Sequence, residues 1–558
     1  MSNIIPAGHS VIESIANENV SHAFGLLGHA NLSILDGFYD RKFPEFIGCR
    51  HEQGAILMAD GYARASGKPG VCIATCGPGA TNLATGIAQA YEAQSPVVTI
   101  AGGIPESYTF REGFQELDLV SILKPLTKFS GRLTDMERIP ELMQHIFRIA
   151  TNGKKGPVYL ELPEDKLLNS QIDYEPVPPE EYRLVDTKPV GDAKAIELAI
   201  NIMTKAKKPI VIAGGGVVSG NATDNTIKLA ESLGAGLMTS YGRNDALPYD
   251  NPLFLGSLGR GGSIEAIEAI QECDVLIALG SRLSQMTGSM GDNKYIPKST
   301  KIIQIEIDSK EIGRNYLVSA GILGDAHAVS AKFLEILKEK IKYTHKNQNW
   351  QDKIKELVAK RHARLNSEGQ STSSPIKPQK VYHELRKSMP KNSIYTLDAG
   401  AVCAMGYDRL DFTENKTFFS PLFLGSLGVG YPVAIGAKVA RPNSPVMAIH
   451  GDGGYLFNSQ ELQTAVDYNI NVITLIMNNN CWGGEKKIQD ALFEGRHVGS
   501  YINNPRYDKY AEVFGAKGFY AETSDQISDA INEAINCNKP SIIEIPVDPE
   551  ELGKDVKL

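Results

Sequence analysis

Long apolar runs are missing from this 558-residue chain. No stretch reaches the ~18 apolar residues that a membrane-spanning helix requires. The N-terminus, MSNIIPAGHSVIESI, lacks the basic and apolar blocks of a signal peptide. Cysteine is sparse: seven residues, at 49, 72, 76, 273, 403, 481 and 537, odd in number and scattered. Cys72 and Cys76 lie four apart with no second pair, which does not fit a zinc site. A basic excess is missing as well. Lys and Arg number 57 against 65 Asp and Glu, a net charge of −8, which argues against a nucleic-acid footprint. The expectation from these absences is a soluble protein of the reducing cytoplasm, with no membrane and no nucleic-acid partner.

What is present is ordinary globular composition, 42% hydrophobic and 22% charged, in a chain long enough for several domains. Short apolar runs such as VCIAT (71–75), PVVTIAG (96–102), PIVIAGGG (209–216), DVLIALG (274–280), KIIQIEI (301–307), PVMAIHGDG (445–453) and VITLIMNN (472–479) read as strands. Amphipathic stretches such as 54–66, 81–94 and 195–206 lie between them and read as helices. This alternation predicts an α/β fold with parallel sheets covered by helices on both faces. Two polar, proline-containing segments, 174–189 and 365–380, read as linkers. They divide the chain into roughly 1–173, 190–345 and 377–550, each the size of one doubly wound parallel-sheet domain. Ligands of such sheets bind beyond the carboxyl ends of the strands, so the strand-end motifs are the place to look.

The segment IHGDGGY (449–455) ends a strand in Gly451-Asp452-Gly453-Gly454 before a helical stretch. Glycines admit a phosphate close to the backbone, and a helix start attracts anions. An aspartate among phosphates makes sense if it holds Mg²⁺, which prefers oxygen ligands. Alone, Gly-Asp-Gly also fits a plain turn. Asn479, in the Asn478-Asn479-Asn480 run, lies 27 residues after Asp452, the length of one strand–helix–strand unit. Neighbouring strand ends could then bring its amide oxygen to the same ion.

GDG followed some twenty-five residues later by NN resembles the thiamine diphosphate binding motif. The order of three α/β segments is similar to the acetolactate synthase-like group of thiamine diphosphate enzymes. The resemblance covers nearly the whole chain. It implies a pyrimidine-binding first domain, a central domain and a diphosphate-binding third domain. It also implies Mg²⁺ held by Asp452, Asn479 and the backbone oxygen of Cys481, with Gly453, Gly454, Gly400 and Trp482 around the cofactor. Glu52, in CRHEQGAILMADGYAR (49–64), matches the glutamate that places a proton at the aminopyrimidine and so turns the cofactor's C2 into a nucleophile. In FLGSLGVG (423–430), Leu427 matches the bulky residue that bends the cofactor, and the Gly425 carbonyl would accept from its amino group. His29 and Asn31 in AFGLLGHANL (23–32) and Gln115 in GFQELD (113–118) match segments that line the active site in relatives. In the family the first domain of one subunit faces the third domain of another, so a homodimer or homotetramer is implied.

The central segment carries IAGGGVVSG (212–220) and ALGSRL (278–283). The spacing is not G-x-G-x-x-G, and Ser284-Gln285-Met286 replaces the run that flavin-binding relatives carry. FAD is therefore not expected. Two further features bear on substrate. Ile488 stands where acetolactate synthases carry a tryptophan, and Gly400-Ala401-Val402-Cys403 replaces their Gly-Gln-His turn. The string WGGEKKIQ (482–489) is similar to sulfoacetaldehyde acetyltransferases. A basic pair, Lys486 and Lys487, suits an oxyanion such as sulfonate or phosphate. The leading expectation is acetyl transfer from sulfoacetaldehyde to phosphate, with a 2-oxo acid carboligase or decarboxylase of the acetolactate synthase type as the alternative. A non-catalytic binding protein on the same fold and a nucleotide-dependent dehydrogenase are readings from other classes.

Overall fold

In the three large sheets every strand runs parallel to its neighbours, and each sheet has six strands. The computed structural model describes residues 3–39, 41–185, 187–288, 295–340 and 347–552. The end of the expected central segment, 341–345, lies outside the described residues.

The first sheet is built from β2 (His22–Gly25), β3 (Glu45–Gly48), β4 (Gly70–Ala74), β5 (Val97–Gly103), β6 (Phe129–Arg132) and β7 (Val158–Pro163), in the order β3-β2-β4-β5-β7-β6. A short antiparallel pair, β1 (Ile4–Pro6) with β8 (Gln171–Asp173), stands beside it. The second contains β9 (Pro209–Ala213), β10 (Gly236–Thr239), β11 (Phe254–Ser257), β12 (Val275–Leu279), β13 (Lys301–Glu306) and β14 (Ala320–Leu323), in the order β11-β10-β9-β12-β13-β14. The third contains β15 (Ile394–Leu397), β16 (Phe418–Phe419), β17 (Val446–Gly451), β18 (Val472–Asn478), β19 (Lys517–Tyr520) and β20 (Ser541–Pro546), in the order β16-β15-β17-β18-β20-β19. The first and third sheets thus share one winding, and the middle sheet has the 3-2-1-4-5-6 order of dinucleotide-binding folds. The expected fold class is the one observed.

The inner strands are largely apolar because both faces are covered. β12 and β5 are buried at every position. In β17 the side chains alternate between two cores. Val446 and Ala448 join a core shared with the first sheet, while Met447 and Ile449 join a second core on the far face. The shared core forms where the Glu52–Ser66 helix lies along the Gly430–Ala440 helix. Their backbones nearly touch: a Cβ on Gly436 would stand 1.9 Å from the Met58 carbonyl oxygen. The expected second linker is shorter than the composition suggests. The charged helix Gln348–Glu368, capped by the Asn347 side chain, absorbs its first residues and stops at Gly369. Among the described residues no helix is long and apolar enough to cross a membrane.

Gly436→Val is therefore expected to cost about 1–3 kcal/mol or more by overpacking, read as a lower urea midpoint. An unchanged midpoint would contradict the close helix contact.

Candidate active site

In the third sheet the chain runs outward from β15 to β16 and then returns to β17, so the winding reverses between β15 and β17. Crevices at such a reversal are where open α/β sheets bind ligands. A cavity of about 170 Å³ opens there. Gly400 comes from the turn after β15, and Gly425 and Leu427 from the loop before the Gly430–Ala440 helix. Asp452, Gly453 and Gly454 follow β17, and Asn479, Cys481 and Trp482 follow β18. Every third-domain residue expected at a cofactor lines this one cavity.

Asp452 is 2% exposed, and burial pushes its carboxyl up to about 6. Asn504 Nδ2 donates to Asp452 Oδ2 at 2.7 Å and also faces Asn478 Oδ1 and Asn480 Oδ1, each at 3.2 Å. Asn478 Nδ2 donates to Glu544 Oε1 at 2.9 Å. The three asparagines therefore divide their work. Asn478 is built into a polar network beneath the turn. Asn480 takes a left-handed conformation, φ 53°, which asparagine tolerates. Asn479 lines the cavity, its Oδ1 accepting from the Cys481 N–H at 3.3 Å. Burial pushes the Cys481 thiol up to about 11, so at neutral pH it is uncharged and only its backbone oxygen suits a hard cation.

The glycine loop is anchored from behind. Asp398, fully buried, accepts from the Gly428 N–H at 3.1 Å and the Gly430 N–H at 3.2 Å. Asn458 Nδ2 donates to the Gly428 carbonyl at 2.9 Å. This holds Leu427 at the cavity wall. A Cβ on Gly454 would stand 2.1 Å from Asp398 Oδ2, whereas a Cβ on Gly400 or Gly425 would meet nothing within 4 Å. The first glycine admits the anchor; the other two leave the backbone bare toward the cavity.

These features fit a metal diphosphate. The site offers one buried carboxylate, bare backbone and amide oxygens. Among the described residues no group of three or more His, Cys, Asp or Glu could hold a metal ion. A cation at Asp452 would thus draw its other ligands from amide and backbone oxygens and from phosphate, which is the Mg²⁺ pattern.

Neither Glu52 nor the His29–Gln115 pair lines the cavity. Glu52 opens its helix, 6% exposed, with Asn82 Nδ2 donating to its Oε2 at 3.0 Å. His29 is held between Glu164 Oε2 on Nδ1 (2.8 Å) and Gln115 Oε1 on Nε2 (3.0 Å). The Cys76 thiol donates to the same Gln115 oxygen at 3.3 Å. His29 and Cys76 follow β2 and β4, the strands between which the first sheet reverses. Asn31 faces its own turn instead, accepting from the Gly28 N–H and donating to the Leu26 carbonyl.

The lysine pair is placed differently from the expectation. Lys486 is 2% exposed and lies on the Gly483–Leu492 helix, its Nζ 3.0 Å from Glu550 and 3.5 Å from Asp490. Lys487 follows about 100° further round the helix. Neither lines the cavity. In the central sheet a cleft of about 30 Å³, lined by Gly215, Arg243, Arg282 and Glu306 among others, opens at the β9–β12 reversal.

Because Asp452 titrates near 6 when folded and near 4 when unfolded, its contribution to stability is present at low pH and lost as pH rises through 6. Without divalent cation, Asp452→Asn is expected to stabilise the fold at pH 8 by up to about 2–3 kcal/mol but not at pH 4, read as a higher melting temperature at pH 8 alone. Equal shifts at both pH values would contradict the buried charge.

Three family models match along the chain: the N-terminal TPP binding domain of thiamine pyrophosphate enzymes over residues 5–122, the central domain over 196–333, and the C-terminal TPP binding domain over 398–545. The chain is 36% identical to a probable acetolactate synthase large subunit of Methanocaldococcus jannaschii, covering 97% of this chain and 92% of that one. It is 34% identical to the acetolactate synthase large subunit of Haemophilus influenzae, covering 97% and 94%. It is 35% identical to the sulfoacetaldehyde acetyltransferase of Alcaligenes xylosoxydans, covering 97% and 93%. The chain belongs to the thiamine pyrophosphate enzyme family, in its acetolactate synthase-like group.

Proposed function

We propose that the protein is a thiamine diphosphate- and Mg²⁺-dependent 2-oxo acid carboligase or decarboxylase of the acetolactate synthase type. The observation that carries this reading is the single cavity in which Asp452, Asn479, Gly425 and Leu427 meet. Asp452, the Asn479 amide oxygen and the Cys481 backbone oxygen would hold the cation. Gly453 and Gly454 would face the diphosphate, and Leu427 would press between the cofactor's rings. When bound, the cofactor supplies a carbon nucleophile that adds to a carbonyl and accepts the electron pair released beside it.

The residues of the chain prepare that chemistry. Glu52, from a neighbouring subunit, holds a proton at the aminopyrimidine nitrogen. The Gly425 carbonyl accepts from the amino group. His29 is oriented through Nδ1 by Glu164, and its Nε2, which meets Gln115 Oε1 here, would exchange that partner to hold or move a proton at the substrate carbonyl. The assembly is a homodimer or homotetramer in which first and third domains of different chains meet. FAD has no part in this reading.

The order of the two substrate readings is the reverse of that drawn from sequence. The acetolactate synthase large subunits are at least as similar as the sulfoacetaldehyde acetyltransferases. Lys486 is occupied by Glu550, which removes the main physical support for a sulfonate site. Acetyl transfer from sulfoacetaldehyde to phosphate remains the second reading, favoured by the Trp482–Gln489 string and by 35% identity to a protein of that activity.

Incubation with pyruvate alone is expected to give CO₂ and acetolactate. Sulfite and acetyl phosphate from sulfoacetaldehyde with phosphate, and no turnover of pyruvate, would overturn the first reading in favour of the second. Glu52→Gln is expected to lower kcat on the order of 10²-fold or more while the cofactor still binds; unchanged turnover would remove Glu52 from the mechanism.

A further inference from the structure

The two residues before Glu52 are held by a carboxylate from the far end of the chain. Glu461, fully buried, opens the Glu461–Asp467 helix that follows the glycine turn at Asp452. Its Oε1 accepts from the His51 N–H at 3.0 Å, and the Arg50 N–H lies 3.2 Å from Oε2 and 3.3 Å from Oε1. Thr464 Oγ1 donates to Oε2 at 2.6 Å. The first turn of the Glu52 helix is shaped to receive it: a Cβ on Gly54 would stand 2.3 Å from Glu461 Oε1. Beside it, Tyr468 OH accepts from the Gly48 N–H at 2.8 Å, tying the end of β3 to the same helix. The Arg50–Asp467 pair, half exposed, adds little.

A buried carboxylate is costly unless its partners repay it. Burial pushes Glu461 up to about 7, while the hydroxyl and amide donors pull it back. Capping the helix does not require it, since the His51 ring already accepts from the Gln53 N–H. What Glu461 fixes is the peptide planes of Arg50 and His51, through which the chain delivers Glu52. We propose that Glu461 is a positioning residue that sets the direction in which Glu52 is presented to the cofactor of the neighbouring subunit. This rests on the reading of Glu52 as the activating acid.

Hybrid dimers test it. A chain carrying Asp452→Ala is paired with one carrying Glu52→Gln, so one site remains, formed by Glu52 of the first and Asp452 of the second. Glu461→Gln is then added to either chain. In the first chain it lies beside the working Glu52, in a half with no working diphosphate site. There it is expected to lower kcat by ten- to a hundred-fold, the scale of a ~1 Å misplacement, with KM and cofactor Kd unchanged. In the second chain it should leave kcat within two-fold. Gly54→Ala, which drives a methyl against the same carboxylate, should give the same pattern. Loss only in the second chain, or no loss in either, overturns the proposal. A starting hybrid with no activity, when both parents bind one another, overturns the Glu52 reading and the proposal with it.

Discussion

Asp452 is a carboxylate sealed into the protein at the tip of β17 with no Lys, Arg or His against it among the described residues. Burying an unpaired charge is among the costliest things a fold can do. The chain offsets part of the cost with backbone amides, that of Gly453 foremost, and with one side-chain amide, Asn504, itself held by Asn478 and Asn480. Behind them Glu544 accepts from Asn478 Nδ2 and from the Tyr507 N–H, and Tyr507 OH donates to the Asp452 carbonyl. This polar scaffold holds the carboxylate in place without neutralising it. A cation bound to a diphosphate would neutralise it, and the bare backbone of Gly400 and Gly425 is arranged toward the same space.

The first and third sheets share a winding, and in the proposed function their strand tips carry complementary halves of the chemistry. The third sheet holds the cavity. The first holds Glu52 and the His29–Gln115–Glu164 cluster, outside that cavity. The shared core between the Glu52–Ser66 and Gly430–Ala440 helices makes the two halves one body within a chain. Under the proposed function, two chains complete a site that draws on both sets of residues.

Much of this was legible in the sequence, for identifiable reasons. Parallel sheets buried on both faces leave continuous apolar runs, so β4, β5, β9, β12, β13, β17 and β18 could be read off directly. The Asp452–Asn479 spacing follows from one strand–helix–strand repeat. What escaped were groups whose roles depend on tertiary approach. Asp398, Asn504, Glu461 and Glu164 carry no local pattern, because their partners lie tens to hundreds of residues away. Glu544 did leave a trace, an acid inside the apolar run SIIEIP. For the lysine pair the sequence could not show that a carboxylate 64 residues away, Glu550, pairs with Lys486. Asn31 looked like a site residue and instead closes its own turn.

The central claim is that Asp452 and Asn479 anchor a diphosphate through a divalent ion. Calorimetric titration of thiamine diphosphate into the protein, with Mg²⁺ and then with excess chelator, tests it most directly. The account predicts saturable binding that disappears with the chelator and with Asp452→Ala. Binding of equal strength without the metal, or none in its presence, would contradict it.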